Sequence, residues 1–393
     1  MSNTSKFSRR TILKSGVGSA AATMLLTQRI WAQEGDIKIA LAAPMTGDSA
    51  SFGLNAQRGA DAAIKVIEAT GGIGGRAITY DVFDDMGQPR EAASVARRIV
   101  DSGEYVAVVG HVNSSCTLAA MPIYAEAGIP VLCGSSSNSQ VTENGWENII
   151  RMTIRGDYGA QQYSAYAVNN LGKRNLAILF ANDDYGRGLR DEMVIAAEAL
   201  DANIVAEGGF TPNVDRDFSS IISTFKAAGA DVFMLNCNYT EGGLFMGQAQ
   251  AQGVTDIPVV GPDSLLYNEF IELSQGAAEG ASILAAYDPY AENETTQAFM
   301  SQFAEDYDAL PSQVAVFTSD LLLLMQALMG EDSTAETLIA DAKASTFEGA
   351  GGTYNWDAKG DVMNRTFAVI TVEDGSFRST GESVDETGLD VLR

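Results

Sequence analysis

Residues 105–117, YVAVVGHVNSSCT, contain an unbroken apolar run that ends abruptly in small and polar residues. Three further segments share this design: the apolar runs at 129–133, 176–180 and 232–235 lead directly into GSSSN, ANDDYG and NCNYTE. Unbroken apolar runs are typical of strands buried on both faces, and ligands of open parallel sheets bind where the carboxyl ends of the strands meet loops and helix N-termini. The four polar segments are therefore predicted to carry the chemistry of this protein.

Helix-like segments alternate with the strand-like runs along most of the chain. One series of strand and helix units ends near Arg151, and a second series follows it. Because parallel strands need a covering crossover helix, the two series predict an α/β protein with two doubly wound parallel-sheet lobes. No linker rich in proline, glycine or serine separates the series, so a short hinge is expected to join the lobes. Three helices predicted after polar segments span 117–127, 188–200 and 242–252.

The first 32 residues are typical of an export signal. Arg9 and Arg10 form a twin arginine, a weakly apolar stretch covers 16–26, and Ala32 offers a small residue for cleavage. The apolar stretch is too short to span a bilayer, which takes about 20 residues. We therefore expect a twin-arginine signal peptide over 1–32, cleaved near Ala32, and a mature protein in the periplasm. An uncleaved amphipathic or disordered leader is the alternative.

The charge of the chain is strongly negative. It holds 51 acidic and 25 basic residues, and the predicted signal peptide carries only basic ones, so the mature chain is more acidic than the whole. Such a charge disfavours nucleic acid and anionic membrane surfaces as partners and suits a soluble monomer. A mature chain of about 360 residues is also long enough for two domains.

The inventory of reactive side chains argues against catalysis. His111 is the only histidine, so an exported hydrolase, the competing functional class, would have to use it as the base, and no Gly-x-Ser-x-Gly elbow is present. Cys116, Cys133 and Cys237 lack the spacing of metal ligands. No enzymatic activity, cofactor or metal is therefore expected. Three free, buried thiols are favoured over a Cys116–Cys133 disulfide, which the closeness of their predicted strand ends would permit.

Short motifs follow one another in a characteristic order over almost the whole predicted mature chain. They are MTG at 45–47, FG at 52–53, GGI at 71–73, YDVFDD at 80–85, GH at 110–111, DDYG at 183–186, GPD at 261–263, YNWD at 354–357 and GD at 360–361. None of these motifs is specific alone, but their order and spacing are. Together they resemble the periplasmic leucine/isoleucine/valine-binding proteins and their relatives, the type I solute-binding components of ATP-driven (ABC) importers.

The resemblance implies a two-lobed Venus-flytrap fold in which the chain crosses between the lobes three times. It also implies that a small ligand is captured in the cleft and delivered to an inner-membrane ABC permease. A final strand pair near Trp356 is expected in lobe 2. The implied divisions are 36–152 with 286–350 for lobe 1, 153–285 with 351–378 for lobe 2, and 379–393 for a C-terminal tail.

The resemblance also implies a set of ligand contacts. The family's amino-acid binders hold the ligand carboxylate in lobe 1 and the ammonium mostly through an acidic residue of lobe 2. At the matching positions of this chain, the implied contacts are Ser114, Ser135 and Ser137 for the carboxylate, Phe52 as an aromatic wall, Asp263 for the ammonium, Tyr185 across the cleft, and Asn238 or its neighbour Tyr239 where the branched-chain binders have tyrosine.

Side-chain chemistry supports these assignments independently. Ser114 and Ser115 precede a predicted helix, where hydroxyls and free backbone N–H groups form an anion site that the helix dipole strengthens. The serines at 135–137 supply a second set of donors, although capping of helices and turns would account for any single serine. Asp263 fits a turn, but an acid at the carboxyl end of a strand is also well placed to pair with a desolvated ammonium. The acids at 183–184 are expected to cap a helix.

Two departures from the family pattern leave the ligand open. The chain has no cysteine at the positions that correspond to a frequent family disulfide, 84–86 and 113, so lobe 1 is expected to be stable without one. Asn238 in place of tyrosine favours a more polar or roomier side-chain pocket. The expected ligand is a small amino acid, branched-chain, aliphatic or small polar. Urea, a short amide and an amine-free carboxylate are the alternatives within this fold.

Overall fold

The computed structural model describes residues 35–330 and 335–392. The predicted signal peptide at 1–32, with Arg9, Arg10 and Ala32, lies outside the described residues. Within the described ranges, no helix has both the length and the apolar character that crossing a membrane requires. Two large sheets and the helices that cover them make up most of this part of the chain.

The first sheet is parallel throughout. Its strands are β1 Ile37–Ala43, β2 Ile78–Asp84, β3 Ala107–Gly110, β4 Val131–Cys133 and β5 Ile149–Arg151. Their order in the sheet is β2-β1-β3-β4-β5. The central strands β1 and β3 are buried at nearly every position, as expected for apolar runs that are covered on both faces.

The second sheet combines a parallel body with an antiparallel edge. The remaining strands are β6 Asn175–Ala181, β7 Asn203–Phe210, β8 Val232–Asn236, β9 Val259–Pro262, β10 Ser282–Ala285, β11 Thr346–Gly349, β12 Gly352–Asn355, β13 Ala368–Glu373 and β14 Ser376–Ser379. The order in the sheet is β14-β13-β10-β9-β8-β6-β7, in which β6 to β10 run parallel, β13 pairs antiparallel with β10, and β14 pairs antiparallel with β13. Strands β11 and β12 form a separate hairpin. The predicted α/β class with two parallel sheets is confirmed.

The last crossing of the chain differs from the sequence prediction. The pair that extends the second sheet is β13 with β14, whereas the segment near Trp356 lies beside the first sheet. Trp356 Nε1 donates a hydrogen bond to Arg151 O at the end of β5 (2.8 Å), and Arg151 N donates to Gly360 O (2.9 Å). These bonds hold the segment at β5, so the chain returns to the second sheet only after Gly360. The predicted lobe boundaries stay a prediction.

Helices cover both sheets. They are α1 Ala50–Ala69, α2 Pro89–Ser102, α3 Ser114–Ala127, α4 Gln140–Glu143, α5 Gly156–Ala165, α6 Asp184–Ala199, α7 Ser219–Ala227, α8 Tyr239–Ala251, α9 Asn268–Ser274, α10 Glu294–Tyr307, α11 Gln313–Leu328 and α12 Ala335–Ala344. Helix α3 is followed by Gly128, a capping residue whose φ of 68° lies in the left-handed region that favours glycine. Helix α11 packs along α1, so this late part of the chain returns to the first sheet.

Three helices begin earlier than the sequence predicted. Helices α3, α6 and α8 start at Ser114, Asp184 and Tyr239, each three or four residues ahead of its predicted start. Serine and aspartate are poor residues for a helix interior but good ones for its first turn, where their side chains serve the free backbone N–H groups. The polar segments after the strands therefore form first helical turns, and their N–H groups lie at the carboxyl edges of the sheets.

Hydrogen bonds cross the cleft between the two sheets. At the start of α6, Asp184 N donates to Ser115 Oγ (3.0 Å), and Asn138 Nδ2 donates to Asp184 O (2.5 Å). At the start of α8, Thr240 Oγ1 donates to Asp48 O (3.1 Å). Elements of the two sheets are therefore in direct contact around the cleft, which gives a closed arrangement.

Candidate functional site

One cavity lies between the carboxyl ends of the strands of both sheets. It measures about 50 Å³, several times the roughly 15 Å³ that one water molecule needs. The implied ligand contacts border it, apart from the alternative residue Tyr239: Phe52, Ser114, Ser135, Ser137, Tyr185, Asn238 and Asp263. The structure therefore brings these residues together. That they bind a ligand stays a prediction.

The N-terminus of α3 forms one end of the cavity, which we call the serine end. Ser114 is the first residue of α3 and is 2% exposed. Its Oγ accepts a hydrogen bond from Asn138 N (3.2 Å), so its own hydroxyl hydrogen stays available. The first backbone N–H groups of a helix have no acceptor inside the helix and carry the positive end of the helix dipole. This end of the cavity is therefore suited to an anionic group.

The loop after β4 adds hydroxyl groups to the serine end. Ser135 and Ser137 border the cavity. Ser136 is buried instead, where its Oγ contacts Thr117 Oγ1 (2.5 Å) and donates to His111 O (3.0 Å). The prediction that all three serines of this loop donate to a ligand is wrong for Ser136, because its hydroxyl is committed to buried protein acceptors.

A buried arginine holds this loop in place. Arg151, at the end of β5, donates from Nη1 to Ser136 O (3.1 Å) and to Asn138 O (2.9 Å). Its Nε lies 2.5 Å from Asp361 Oδ1, and both side chains are buried. A buried charge is tolerated where it is paired and hydrogen-bonded. The arginine thus fixes the carbonyl groups on both sides of Ser137 and keeps its positive charge away from the cavity.

The second sheet contributes Asp263 to the cavity, and we call the part of the cavity around this residue the acid end. This residue begins a short 3₁₀ helix, Asp263–Leu265, directly after β9. Its Oδ2 accepts a hydrogen bond from Ala286 N (3.3 Å), and the Gln313 side chain favours its ionised form. Protein surrounds the group apart from the surface it turns to the cavity, and this burial raises the pKa of Asp263 to about 7. Without a cationic partner, its ionised form is therefore disfavoured.

Tyr185 presents an acceptor to the cavity. Its hydroxyl lies 3.0 Å from Ser264 Oγ, and Ser264 Oγ donates to Cys237 O (2.7 Å). Because the Ser264 hydrogen is used on this carbonyl, the Tyr185 hydroxyl must be the donor in its contact with Ser264. Burial raises the pKa of Tyr185, so the phenol keeps its hydrogen. Its remaining lone pairs are available to a ligand donor.

The two acids before Tyr185 have different roles. Asp183 caps α6, since its Oδ1 accepts a hydrogen bond from Gly186 N (2.9 Å), which confirms the predicted cap. The prediction is wrong for Asp184, whose side chain instead pairs with Arg187 (3.3 Å) one turn along the helix. Glycine is required at Gly186, because a Cβ there would collide with the carbonyl oxygen of the preceding strand.

Asn238 and Tyr239 were alternatives for one contact, and the structure separates them. Asn238 precedes α8, makes no capping hydrogen bond within the described structure, and borders the cavity. Tyr239 packs edge-on against Phe52 with ring centroids 5.0 Å apart, and its hydroxyl accepts from Ser51 N (3.2 Å). Tyr267 completes a three-ring cluster with both of them. Asn238 thus faces the cavity, while Tyr239 supports its aromatic wall.

The cavity also includes residues that the sequence analysis missed. Most of them lie on segments that reach the cavity only because the chain crosses between the sheets, so no motif marks them. Gln313 offered one local signal, because this polar first residue of α11 directly precedes an apolar run. The missed residues include Thr153, Ile154, Tyr163, Tyr267, Gln313 and Phe367.

His111 and the cysteines are structural in their contacts. His111 is buried, with Nδ1 2.6 Å from Asp85 Oδ2 and Nε2 3.1 Å from Tyr124 OH, so both ring nitrogens are engaged. Among the described residues, no group of three or more His, Cys, Asp or Glu side chains is arranged to hold a metal. The predicted free thiols are confirmed in the described chain for Cys116, Cys133 and Cys237, all of which are buried.

Comparisons with known proteins show which proteins this chain is similar to. A family model described as periplasmic binding protein matches residues 36–376. An amino acid binding protein of Pseudomonas aeruginosa is 37% identical over 220 residues, which cover 56% of this chain and 59% of that protein. The leucine-, isoleucine-, valine-, threonine- and alanine-binding protein of the same organism is 29% identical over 339 residues, 85% of this chain and 89% of that protein.

A solved structure extends the similarity to the fold. The branched-chain amino acid transporter substrate-binding protein LivJ of Streptococcus pneumoniae, solved in complex with isoleucine, is 26% identical in sequence. The two folds match with a TM-score of 0.81 over 87% of this chain and 98% of that protein. The two-sheet architecture of this chain therefore recurs in a protein with an amino acid bound.

Proposed function

Because this chain belongs to the periplasmic binding protein family, we propose that it binds a small amino acid in the cleft between its sheets and delivers it to an ABC permease. In this role it acts outside the cytoplasm and catalyses no reaction. The proposal is supported by the complementary groups at the two ends of the cavity and by relatives whose names describe amino-acid binding.

One observation carries the proposal: a single cavity holds opposite chemistries at its two ends. The hydroxyl groups of Ser114, Ser135 and Ser137, with the N-terminus of α3, suit a carboxylate. Asp263 suits an ammonium. A free α-amino acid carries both charges at neutral pH, so one zwitterion satisfies both ends. Urea and short amides lack the carboxylate, and an amine-free carboxylate leaves Asp263 without a cation.

The walls between the two ends indicate the ligand's side chain. Phe52, Ile154, Val314 and Phe367 offer apolar surface to the cavity, whereas Asn238 offers an amide. Apolar walls favour an aliphatic side chain, and the amide adds a hydrogen-bonding group for a small polar one. We therefore propose branched-chain, aliphatic and small polar amino acids as the ligand class.

The location and partners follow from the same proposal. Membership of this family implies an extracytoplasmic location. The periplasm is the proposed compartment, reached through the twin-arginine signal at 1–32 with cleavage near Ala32. We also propose a monomer that binds no nucleic acid, which the excess of acidic residues supports. The predicted lobes, 36–152 with 286–350 and 153–285 with 351–378, are the proposed moving bodies.

Calorimetry with a defined ligand panel tests the proposal. Protein that has been unfolded and refolded to remove bound ligand is titrated with leucine, isoleucine, valine, alanine and threonine. Urea, acetamide and the keto-acid analogue of leucine are titrated in parallel. At least one amino acid is expected to bind far more tightly than any of the three comparison compounds. Tighter binding of urea, acetamide or the keto acid would assign the cavity to that class instead.

A histidine variant tests the competing hydrolase function. His111→Gln removes the only side chain that an exported hydrolase could use as an imidazole base. Under the proposed function, amino-acid affinity changes little, because His111 is buried away from the cavity lining. Hydrolysis of a supplied amide by the parent protein, abolished in this variant, would support the hydrolase.

A further inference from the structure

Gln313 and Asp263 line the cavity from different sheets. Gln313 is the first residue of α11, the helix that packs along α1 of the first sheet, whereas Asp263 follows β9 of the second sheet. Gln313 borders the cavity and is only 7% exposed. The side chains of Gln313 and Asp263 therefore come from different sheets and border the same cavity, where Gln313 favours the ionised form of Asp263.

The nitrogen and the oxygen of the Gln313 amide differ in their surroundings. An ionised carboxylate is only an acceptor, and Gln313 favours this form of Asp263, so we infer that the amide turns its Nε2 donors toward that carboxyl. This contact fixes the orientation of the amide, because the reverse orientation would place two acceptors together. Its Oε1 then finds no hydrogen-bond partner among the described residues, although the atom is buried.

A buried acceptor without a partner is unusual. More than nine in ten buried polar groups are hydrogen-bonded, and leaving one unsatisfied destabilises the protein that contains it. Gln162 is the other buried glutamine with an unpartnered amide atom in the described part of the chain, but it lies outside the cavity lining and leaves a donor unsatisfied. Gln313 leaves an acceptor unsatisfied at the acid end, where a ligand donor would meet it.

We propose that Gln313 Oε1 accepts a hydrogen bond from the ammonium group of the ligand, beside Asp263, and thereby restricts the site to ammonium groups with at least two N–H donors. This inference rests on the proposed amino-acid binding. A primary ammonium has three N–H donors. Asp263 takes one and Gln313 takes the second. The lone pairs of the Tyr185 hydroxyl, whose own hydrogen is committed to Ser264, are available for the third.

The proposal defines which amines the site rejects. Each methyl group added to the nitrogen removes one donor, so a dimethylated amino acid keeps one N–H and a betaine keeps none. The positive charge remains in both, so the charge of Asp263 alone would not distinguish them from the parent amino acid. Gln313 does distinguish them, because its buried Oε1 stays unsatisfied when the ligand has too few donors.

The test combines one substitution with one change in the ligand. Gln313→Met keeps the length of the side chain and removes both amide groups. Leucine and N,N-dimethylleucine, or the matching pair for whichever amino acid binds, are titrated into the parent protein and the variant. Dimethylation is expected to weaken binding to the parent by about 30-fold or more, since two donors are lost. In the variant this penalty is expected to shrink by about tenfold, mainly because the unmodified amino acid binds more weakly.

Gln162→Met is the matched control, because it changes the other buried glutamine of this kind away from the cavity. It is expected to leave both affinities and their ratio unchanged. An unchanged ratio in a Gln313→Met protein that still binds the amino acid would overturn the inference while leaving the proposed function intact. If the variant does not fold, equal binding of leucine and N,N-dimethylleucine by the parent protein overturns it. A parent protein that binds no amino acid at all would instead overturn the proposed function and this inference with it.

Discussion

The serine end and the acid end of the cavity are built from different kinds of group. The serine end offers neutral hydroxyls and the backbone N–H groups of α3. The nearby Arg151 commits its charge to Asp361 and to loop carbonyls, so it serves the site only by holding the loop. The acid end offers Asp263, a single ionisable group whose pKa burial raises to about 7.

This difference determines how each end responds to change. Fixed neutral dipoles can stabilise an anion at any pH, and several of them share the interaction, so the loss of one is partly compensated. A lone carboxylate concentrates its interaction in one group that must first lose a proton. We therefore expect ligand binding at the serine end to tolerate the loss of one group and to be independent of pH. Binding at the acid end is expected to be sensitive to both changes.

The largest expected effect is on the free energy of unfolding. It tests whether the loop that carries Ser137 depends on the buried Arg151. Arg151→Met removes the main partner of the buried Asp361, and breaking a buried ion pair of this kind costs about 3–5 kcal/mol of the free energy of unfolding. Urea unfolding measures this loss. The double variant Arg151→Met with Asp361→Asn is the control and should recover part of the stability, since no unpaired charge remains. A loss below about 1 kcal/mol would show that the loop is held by other contacts.

The next effect is at the acid end. Asp263→Asn keeps the shape of the side chain and removes its charge, so a desolvated ammonium loses its partner. The expected loss is about 2–5 kcal/mol of binding free energy, which is about 30-fold to several-thousand-fold in affinity. Calorimetry with an amino acid and its keto-acid analogue measures it, and the keto acid should lose nothing. Amino-acid binding that survives within a factor of two would contradict the assignment of Asp263.

The serine end should respond more weakly to the loss of one group. Ser137→Ala removes one hydroxyl donor from a charged ligand group, which is expected to cost about 1–3 kcal/mol for an amino acid and for its keto acid alike. Ser139→Ala, two residues away in the same loop and outside the cavity lining, is the matched control. If Ser137→Ala weakens binding more than Asp263→Asn does, the proposed contrast between the two ends is reversed.

The sequence was informative about the parts of the site that local chemistry encodes. Apolar runs followed by polar segments marked the strand ends where Ser114, Ser137 and Tyr185 lie, and the resemblance to a known family then named these residues as ligand contacts. The starts of the helices were placed too late, because polar first turns resemble loops in composition. The resemblance to a known family supplied Asp263 and Asn238, which the strand pattern alone would not have distinguished from turn and cap residues.

The remaining parts depend on contacts between distant segments of the chain. Arg151 and Asp361 form their pair only because the segment after β12 returns to the edge of the first sheet. Gln313 reaches Asp263 only because α11 packs on α1. Nothing in the residues around these positions indicates their partners, since charge pairing over such separations is decided by the topology. The same reason explains the wrong placement of the strand pair near Trp356.

The smallest expected effect is a pH dependence that belongs to the acid end alone. The folded pKa of Asp263, about 7, lies above its usual value of 3.8. An ammonium ligand binds the ionised carboxylate, and the ionised fraction rises from about one-tenth at pH 6 to about nine-tenths at pH 8, so affinity should increase about ninefold over this range. Calorimetry at pH 6, 7 and 8 measures this increase.

The raised pKa of Asp263 affects the free energy of unfolding of the ligand-free protein in the opposite direction. Because the unfolded chain releases this proton near pH 4 and the folded chain only near pH 7, the contribution of Asp263 to the free energy of unfolding is fully present below about pH 4 and is lost as the pH rises to about 7. Burial also raises the pKa of Asp183, which borders the cavity, so Asp263→Asn is the control that separates the two carboxyls. A pH dependence that persists in this variant would show that the titrating carboxyl is Asp183 and not Asp263. An affinity that stays flat in the parent protein would mean that the acid end does not titrate on binding, and the contrast with the serine end would then rest on charge alone.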